Sequence, residues 1–234
     1  MDAIAHRGCA EQFPENTLLA IESVVDHVDR VELDVRQCGS GEIVLFHDAT
    51  TAALTGEEHQ VDSTDYETLR GLSVLDTDEH VPTLADALGT IPPDVDVQLD
   101  LKTNGIAADV KRVADQYDHD VYLCSTDTSA LTEATALSWD AAAGYVSFAY
   151  FEDEDVDPST VTESEQRDAV ESAVALDCSF VEVPYSLAVE SDVVDAAHDA
   201  ELDVVAWPIR TRDQLDAIAA RDVDGAMLDR VDIL

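Results

Sequence analysis

Short apolar segments alternate along the chain with longer segments in which apolar residues recur at helical spacing. Strands that alternate with helices of about 10–15 residues are typical of parallel βαβ units. In one chain of 234 residues, this pattern predicts a single α/β domain, a closed (β/α)8 TIM-type barrel. The predicted strands are 3–6, 31–35, 43–47, 95–101, 121–125, 144–149, 180–184, 203–208 and 224–228. The predicted helices are 17–28, 65–70, 83–88, 106–117, 128–137, 163–176, 190–200 and 211–220.

The strand count conflicts with this barrel, because nine strands are predicted where the barrel takes eight. Only residues 36–42 join the second predicted strand to the third, whereas a parallel crossover usually needs about a dozen residues or more. Either one of these segments is irregular or the crossover lacks its helix, and the sequence leaves both possibilities open. A better-defined boundary is Thr83, which with Asp86 three residues on predicts the cap of the following helix.

The chain is expected to form one domain, because no linker, repeat or low-complexity segment divides residues 1–234. The segment 48–82 is polar and too long for an ordinary loop, and it predicts an insertion over the active-site face of the barrel. The segment 152–165 is densely acidic. It indicates a solvated loop, with a divalent-ion site as the alternative.

Composition excludes several classes of protein. With 46% apolar residues the chain can bury a core, so its net charge of -40 does not indicate disorder. No apolar run approaches the ~18 residues of a membrane span. Asp2 and His6–Arg7 interrupt the stretch where a signal peptide would lie, so we expect a cytoplasmic protein. The 52 acidic residues against 12 basic ones would repel nucleic acid and anionic membranes.

The kind and spread of charge also indicate the solvent. Acids occur along the whole chain, aspartate outnumbers glutamate, and only two lysines are present. At about 1 M salt the Debye length falls to about 3 Å, which largely removes the self-repulsion. We therefore expect a hypersaline cytoplasm, the alternative being an acidic protein of an ordinary cytosol. The four cysteines are far apart and form no CxxC pair, which fits a reducing compartment better than a disulfide framework or a zinc site.

Acidic residues gather at the predicted carboxyl ends of strands, where a parallel barrel has its active site. Glu32 and Asp34 lie two apart on one strand, so their side chains project to the same side. Buried neighbouring carboxylates repel each other unless a cation neutralises them. With Asp100 from another strand, they predict a site for one divalent cation, Mg²⁺ or Ca²⁺. The alternative is a set of strand-end acids in an unusually acidic protein.

Histidines and basic residues occur at the same strand ends. His6 and His47 follow from two predicted strands of the same polarity, and histidines are suited to proton transfer near neutral pH, one as base and one as acid. Arg7 and Lys102 place two of the few basic residues among the acids, which suggests a bound phosphate. With the metal site, these groups are the equipment for cleaving a phosphodiester.

The motifs that contain these residues resemble a known family. The motifs are AHRG at 5–8, PENT at 14–17, VELDV at 31–35, HD at 47–48, VPTLADAL at 81–88, DLK at 100–102, and AWPI and VDGAMLD near the C-terminus. In this order, from residue 3 to residue 234, they resemble the glycerophosphodiester phosphodiesterase family. The resemblance implies a TIM-type barrel, a divalent metal, and hydrolysis of glycerophosphodiesters to glycerol phosphate and an alcohol.

The resemblance also implies a role for each candidate residue. By position, the implied catalytic residues are His6 and His47, the metal ligands Glu32, Asp34 and Asp100, the phosphate contacts Arg7 and Lys102, and the substrate-pocket residues Glu15, Asn16 and Trp207. It does not imply which histidine is the acid and which is the base. For Asn16 the alternative is a helix cap, and for Trp207 it is a core position.

Departures from the family pattern bear on the substrate. Asp100 stands where bacterial members usually have Glu, WPIR at 207–210 replaces a WTVN-like string, and LDRV at 228–231 replaces a TDxP-like string. Two other readings stay open: a sphingomyelinase D-like or lysophospholipid phosphodiesterase of the same superfamily, and a barrel that binds a phosphodiester without hydrolysing it. We expect a small-molecule substrate; the alcohol, the metal and the oligomeric state are not predicted.

Overall fold

The computed structural model describes residues 1–148 and 157–234, and nine strands form one sheet within these ranges. They are β1 (Asp2–Ala5), β2 (Arg30–Gln37), β3 (Ile43–Leu45), β4 (Asp96–Leu101), β5 (Val121–Ser125), β6 (Ala142–Val146), β7 (Phe180–Pro184), β8 (Asp203–Ile209) and β9 (Gly225–Leu228). Eight strands, all except β3, are parallel neighbours in chain order, and β1 pairs with both β2 and β9. The sheet is therefore a closed barrel, which confirms the predicted fold.

The strand outside this cycle resolves the strand count. β3 runs antiparallel to β2, with Val35 opposite Leu45 and Gln37 opposite Ile43. The prediction that residues 43–47 form a strand with the polarity of the first was wrong. Residues 38–42 are long enough for an antiparallel hairpin but too short for a parallel crossover. β2 therefore continues past the barrel rim into a hairpin.

Ten α-helices lie among the described residues. They are α1 (Leu18–Val24), α2 (Ala52–Thr55), α3 (Tyr66–Leu69), α4 (Leu84–Thr90), α5 (Ala107–Ala114), α6 (Thr128–Thr135), α7 (Glu163–Ala175), α8 (Tyr185–Glu190), α9 (Val193–Asp199) and α10 (Arg212–Ala219). The predicted cap of α4 is confirmed, because the Thr83 side chain accepts from the Asp86 N–H and the Asp86 carboxylate accepts from the Thr83 N–H. The predicted helix 190–200 starts later, as α9, and α8 is a separate helix before it.

Alternation along the strands divides the buried residues into two layers. On β2, Val31 and Leu33 belong to the main apolar core, whereas Glu32 and Asp34 between and after them project to the other side. The apolar part of the barrel interior is a second cluster. Its fully or almost fully buried members are Ile4, Cys124, Phe180, Val205, Trp207 and Met227. One part of the barrel interior is thus hydrophobic and another part carries acids.

A glycine shows how tightly this interior is filled. A Cβ on Gly144 of β6 would lie 2.0 Å from the ring of Phe180 on the neighbouring strand β7. Only a residue without a side chain fits there, so glycine at this position makes room for the Phe180 ring in the apolar cluster of the barrel interior.

The segment 48–82 has its own small apolar core. It contains α2, α3 and the 3₁₀ turn Val61–Ser63, and it packs Val61 and Leu69 against Phe46 and Val44 of the hairpin. Residue 149 of the predicted strand 144–149 and residues 152–156 of the acidic segment lie outside the described residues. Within the described ranges, none of the helices has the length and apolarity that crossing a bilayer demands.

Candidate active site

A pocket of about 1000 Å³ opens at the carboxyl ends of the barrel strands. Eight of the ten predicted site residues line it, and Asp34 and Asn16 lie buried behind this lining. The eight are His6, Arg7, Glu15, Glu32, His47, Asp100, Lys102 and Trp207. The barrel topology therefore brings together residues that the sequence spreads over two hundred positions.

The turn after β1 places two of these residues. Arg7, Gly8 and Cys9 all have positive φ angles, 51°, 78° and 67°. A Cβ on Gly8 would lie 2.6 Å from the Cβ of Ala20 on α1, so this turn needs glycine both for its backbone angle and for the close approach. The turn directs the Arg7 N–H to Glu32 Oε2, at 2.9 Å.

Three buried carboxylates form the centre of the site. One carboxylate oxygen each from Glu32, Asp34 and Asp100 lies within 4.8 Å of the others. Asp34 and Asp100 are register partners on β2 and β4, and Glu32 shares the inward face of β2 with Asp34. Among the described residues, Asp100 Oδ1 is buried and accepts no hydrogen bond. A buried oxygen in this position fits an oxygen-ligated cation.

Asp34 is the most strongly held of the three. Lys102 Nζ lies 2.9 Å from its Oδ1, and Arg7 Nε lies 3.2 Å from its Oδ2. Asn16 donates from Nδ2 to Oδ2 at 2.7 Å, and its own Oδ1 accepts from the Asp34 N–H. Burial raises the pKa of Asp34, but the charges of Lys102 and Arg7 lower it by more. The pKa of Asp34 therefore lies well below its usual range.

Glu32 has the opposite shift. Burial, Asp34 and Asp100 raise its pKa well above the usual range, and Lys102 and Arg7 offset only part of this. Lys102 is shared, since its Nζ also lies 2.5 Å from Asp100 Oδ2. Two cationic side chains therefore do not neutralise three carboxylates. A divalent cation held by the carboxylates would more than offset the remaining negative charge and leave a positive site for an anionic phosphate, so the residues fit a metal.

His6 stands on one side of this cluster, directly after β1. Its Nδ1 lies 2.7 Å from Oδ1 of Asp229, the residue that follows β9. Arg210, directly after β8, places Nε 2.9 Å from the other oxygen of Asp229. The side chains of His6 and Asp229 are 16% and 6% exposed, so their contact is largely shielded from solvent.

His47 has a different setting. It lies beyond β3, outside the barrel strands, and its Nδ1 is 2.7 Å from Oδ1 of the adjacent Asp48. The Asp48 side chain is 46% exposed. Arg36 donates from Nε and Nη2 to the His47 carbonyl at 2.9 and 2.8 Å, which ties this residue to the end of β2.

The opposite part of the pocket is largely apolar. Tyr145, Val146, Phe148 and Met227 line it with Trp207, whose Nε1 is buried and donates no hydrogen bond within the described part of the chain. The segment 48–82 contributes Ala49, Ala53 and Leu54 to the lining. The pocket thus joins an ionic side, suited to phosphate, to an apolar side suited to the rest of a small molecule.

One buried acid on the apolar side was not predicted. Glu182 of β7 is 4% exposed, and its Oε1 accepts from Gln98 Nε2 at 2.6 Å. Burial and the charge of Asp100 raise the pKa of Glu182 to about 7. The available signal was a single charged residue inside the apolar strand FVEVP.

Two further residues, Asp229 and Arg36, were missed, whereas Arg210 was noted only as part of the WPIR departure and not as a partner of Asp229. Asp229 contacts His6 across more than 200 positions of sequence and also pairs with Arg210, so only the closure of the barrel links the three. Arg36 was also missed, because its target is a backbone carbonyl. Asp229 does carry one general signal, since it follows a strand at the catalytic face of the barrel.

Sequence comparison identifies relatives of the chain. The model of the Glycerophosphoryl diester phosphodiesterase family matches residues 6–233. The probable glycerophosphodiester phosphodiesterase 2 of Mycobacterium tuberculosis is 27% identical over 244 residues, which covers 99% of this chain and 88% of that protein. An uncharacterised Bacillus subtilis protein, YqiK, is 34% identical over 110 residues, 44% of this chain and 45% of its own length. The chain thus spans less than half of the length of some curated relatives that it matches.

Solved structures show the same architecture. A phosphodiesterase of Oleispira antarctica, in complex with the product sn-glycerol-3-phosphate, superposes with a TM-score of 0.83 at 25% identity, covering 98% of this chain and 93% of that one. A glycerophosphodiester phosphodiesterase of Agrobacterium tumefaciens has a TM-score of 0.80 at 20% identity, covering 100% and 98%. The second likeness shows the shared fold alone.

Proposed function

Because the chain belongs to the glycerophosphoryl diester phosphodiesterase family, we propose that it hydrolyses glycerophosphodiesters to glycerol phosphate and an alcohol. The observation that supports this most is the shared pocket, in which His6 and His47 accompany Arg7, Lys102 and the carboxylate cluster. A product complex of the Oleispira antarctica relative contains sn-glycerol-3-phosphate, which agrees with this substrate class.

Glu32, Asp34 and Asp100 are the proposed ligands of one divalent cation, Mg²⁺ or Ca²⁺. When bound, such a cation supplies Lewis-acid stabilisation of negative charge on the phosphoryl oxygens. The buried, unpartnered Asp100 Oδ1 and the incomplete neutralisation of Glu32 support the assignment within the described residues. Asp100 is shorter by one methylene than the glutamate usual in bacterial members, which bears on the choice of metal.

Arg7 and Lys102 are proposed to bind the phosphate. Both line the pocket while touching Asp34, so they carry positive charge to the boundary between the acids and the substrate. Guanidinium and ammonium groups at this position stabilise the charge that develops on the phosphoryl oxygens.

The two histidines are proposed to move the protons. In each ring Nδ1 contacts a carboxylate, which leaves Nε2 for exchange with the substrate. One histidine removes a proton from the nucleophile, either water or the glycerol 2-hydroxyl, and the other protonates the departing alcohol. Attack by the 2-hydroxyl would pass through a cyclic phosphate, which water then opens.

The substrate pocket is proposed to include Glu15, Asn16 and Trp207, with the insertion 48–82 shaping its outer wall. Glu15 contacts Arg7, at 3.4 Å between Oε1 and Nη1, and Asn16 supports Asp34 from behind. Trp207 offers an unpaired indole N–H within the described residues. Ala53 and Leu54 of α2 face the same cavity.

From the charge and the cysteines we propose that the enzyme acts in a salt-rich, reducing cytoplasm. A net charge of -40 favours a concentrated salt solution, in which self-repulsion is screened. All four cysteines are unpaired, which agrees with a reducing cytoplasm. Activity assays therefore belong in molar KCl.

The test is hydrolysis of glycerophosphocholine, followed by ³¹P NMR in molar KCl with Mg²⁺ or Ca²⁺. With metal present, we expect the diester signal to be replaced by that of glycerol phosphate. In excess EDTA the diester signal should persist. When metal is restored, the diester should be consumed again. His47→Ala should lose the activity, whereas the exposed His27→Ala should keep it. Full activity in excess EDTA, or in His47→Ala, would contradict the proposal. Faster turnover of a lysophospholipid than of glycerophosphocholine would favour the sphingomyelinase D-like alternative.

A further inference from the structure

Arg210 lies at the rim of the barrel with its guanidinium between two acidic side chains. It stands in the string WPIR, where the family resemblance leads one to expect WTVN, and it follows β8 directly. Its side chain lies between two carboxylates: Nε is 2.9 Å from Asp229 Oδ2 and 3.0 Å from Glu11 Oε1. The guanidinium therefore interacts with protein acids on the side of the site that holds His6.

Asp229 connects this arginine to His6. One carboxylate oxygen faces Arg210 and the other lies 2.7 Å from His6 Nδ1. The backbone is also fixed, because the Asp229 N–H donates to the Ile209 carbonyl at 3.0 Å. The three residues follow β8, β9 and β1, which are adjacent in the barrel, so the sheet itself sets their spacing.

The charge of Asp229 decides how it can bind the imidazole. Asp229 is buried, with 6% of its side chain exposed. Burial raises the pKa of Asp229. The hydrogen bond and charge of His6 and the charge of Arg210 lower it by more, so the pKa lies below its usual range. An ionised carboxylate only accepts hydrogen bonds, so His6 must donate from Nδ1.

We propose that Arg210 is a positioning residue for the hydrolysis, acting through Asp229 to hold His6 with a proton on Nδ1 and Nε2 directed to proton exchange with the substrate. The arginine keeps the buried aspartate anionic, and the anionic aspartate fixes the tautomer of the ring. This inference rests on the proposed phosphodiesterase function, but the tautomer of His6 is a property of the resting protein and can be measured without substrate.

The variants separate charge from packing. Arg210→Gln keeps a polar side chain with N–H donors and removes the positive charge, whereas Arg210→Lys keeps the charge. The matched control is Arg112→Gln, which removes a largely exposed arginine that pairs with Asp109 on α5. Circular dichroism of each variant in molar KCl shows whether it folds.

Two readouts are combined on these proteins. The tautomer of His6 is read from ¹⁵N chemical shifts of histidine-labelled protein, with the signal assigned by its loss in His6→Asn. We expect a protonated Nδ1 in the wild type, a larger Nε2–H fraction in Arg210→Gln, and the wild-type state in Arg210→Lys and Arg112→Gln. Partners that orient an active group typically contribute about 10–100-fold. The kcat of Arg210→Gln should fall by about that factor, with KM within about threefold.

The outcomes are decisive even if one variant fails to fold. An Nε2–H tautomer of His6 in the folded wild type would overturn the inference by itself, and so would equal kcat values for Arg210→Gln and Arg112→Gln. A fall in kcat that is equally large in Arg210→Lys would show that packing, not charge, is responsible. If the wild type hydrolyses no glycerophosphodiester but its His6 carries the proton on Nδ1, the proposed function fails while the positioning contact stands.

Discussion

The two histidine sides of the site are built differently. His6 follows a barrel strand and contacts Asp229, a buried residue that is itself paired with Arg210. His47 lies beyond a hairpin strand outside the barrel and contacts its own neighbour Asp48, which is 46% exposed. The backbone of His47 is held by two hydrogen bonds from Arg36 to the His47 carbonyl oxygen.

The difference separates two ways of placing the histidines that we propose as catalytic. On the His6 side, three adjacent strand ends fix the ring through long-range contacts that solvent barely reaches. On the His47 side, a local pair and a short hairpin fix the residue, next to the segment 48–82, which also lines the pocket. We infer that the His6 side is set by the rigid barrel and that the His47 side is adjustable, because exposed pairs are weak and loops move more readily than strands.

The largest expected effect on kcat/KM comes from removing either imidazole ring. General acid–base groups typically contribute about 10²–10⁴-fold, so His6→Ala and His47→Ala should each lower kcat/KM by a factor in that range. Steady-state kinetics on glycerophosphocholine check this, with His27→Ala as control. A loss below about tenfold in one of them would remove that histidine from the acid/base pair.

The comparison is sharpened by the two aspartate partners. Asp229→Asn removes a buried charge from the His6 side and should lower kcat by about 10–100-fold. Asp48→Asn removes a half-exposed partner and should lower kcat by less than about fivefold, because exposed ion pairs are worth about 0–1 kcal/mol. Equal losses in the two variants would mean that the two sides are equally dependent on their acids, contrary to the account.

A smaller effect is expected at the backbone anchor of His47. Arg36→Gln removes two charge-assisted hydrogen bonds to a carbonyl in a half-buried setting, so the free energy of unfolding should fall by about 1 kcal/mol. Urea unfolding in molar KCl measures this, against Arg112→Gln. Unchanged stability together with unchanged kcat would show that the hairpin holds His47 without Arg36.

The smallest expected effect is on the pH dependence of stability. The pKa of Asp229 is lower in the folded protein than its unfolded value of about 3.9. Its ionised form therefore stabilises the fold above that value, and this contribution is lost as pH falls through the folded pKa. Urea midpoints between neutral pH and pH 3 should fall less in Asp229→Asn than in the wild type. An identical fall in both proteins would contradict the shift.

The sequence predicts the barrel and the acid cluster because both follow from local patterns. Alternating apolar runs define eight of the strands, and the two-residue spacing of Glu32 and Asp34 places them on one face. Because parallel strands in a barrel share one direction, Asp100 is expected at the same rim as Asp34, and the register places the two opposite each other.

The parts that were not predicted depend on closure and on hairpin geometry. The direction of residues 43–45 follows from a pairing with β2 that an apolar run does not encode. Asp229, which pairs with Arg210, becomes the partner of His6 only when the last strand closes against the first. Glu182 acquires its raised pKa from burial on the far side of the same interior, near Asp100. Such effects belong to the folded barrel and leave little trace in sequence spacing.

The most direct test of the central claim is a crystal structure of the protein with a divalent cation and glycerol phosphate, grown in high salt. The account predicts a cation in contact with Glu32, Asp34 and Asp100, and a phosphate that touches Arg7 and Lys102 and lies between the two imidazoles. A cation bound elsewhere, or a phosphate beyond hydrogen-bonding reach of both His6 and His47, would contradict it.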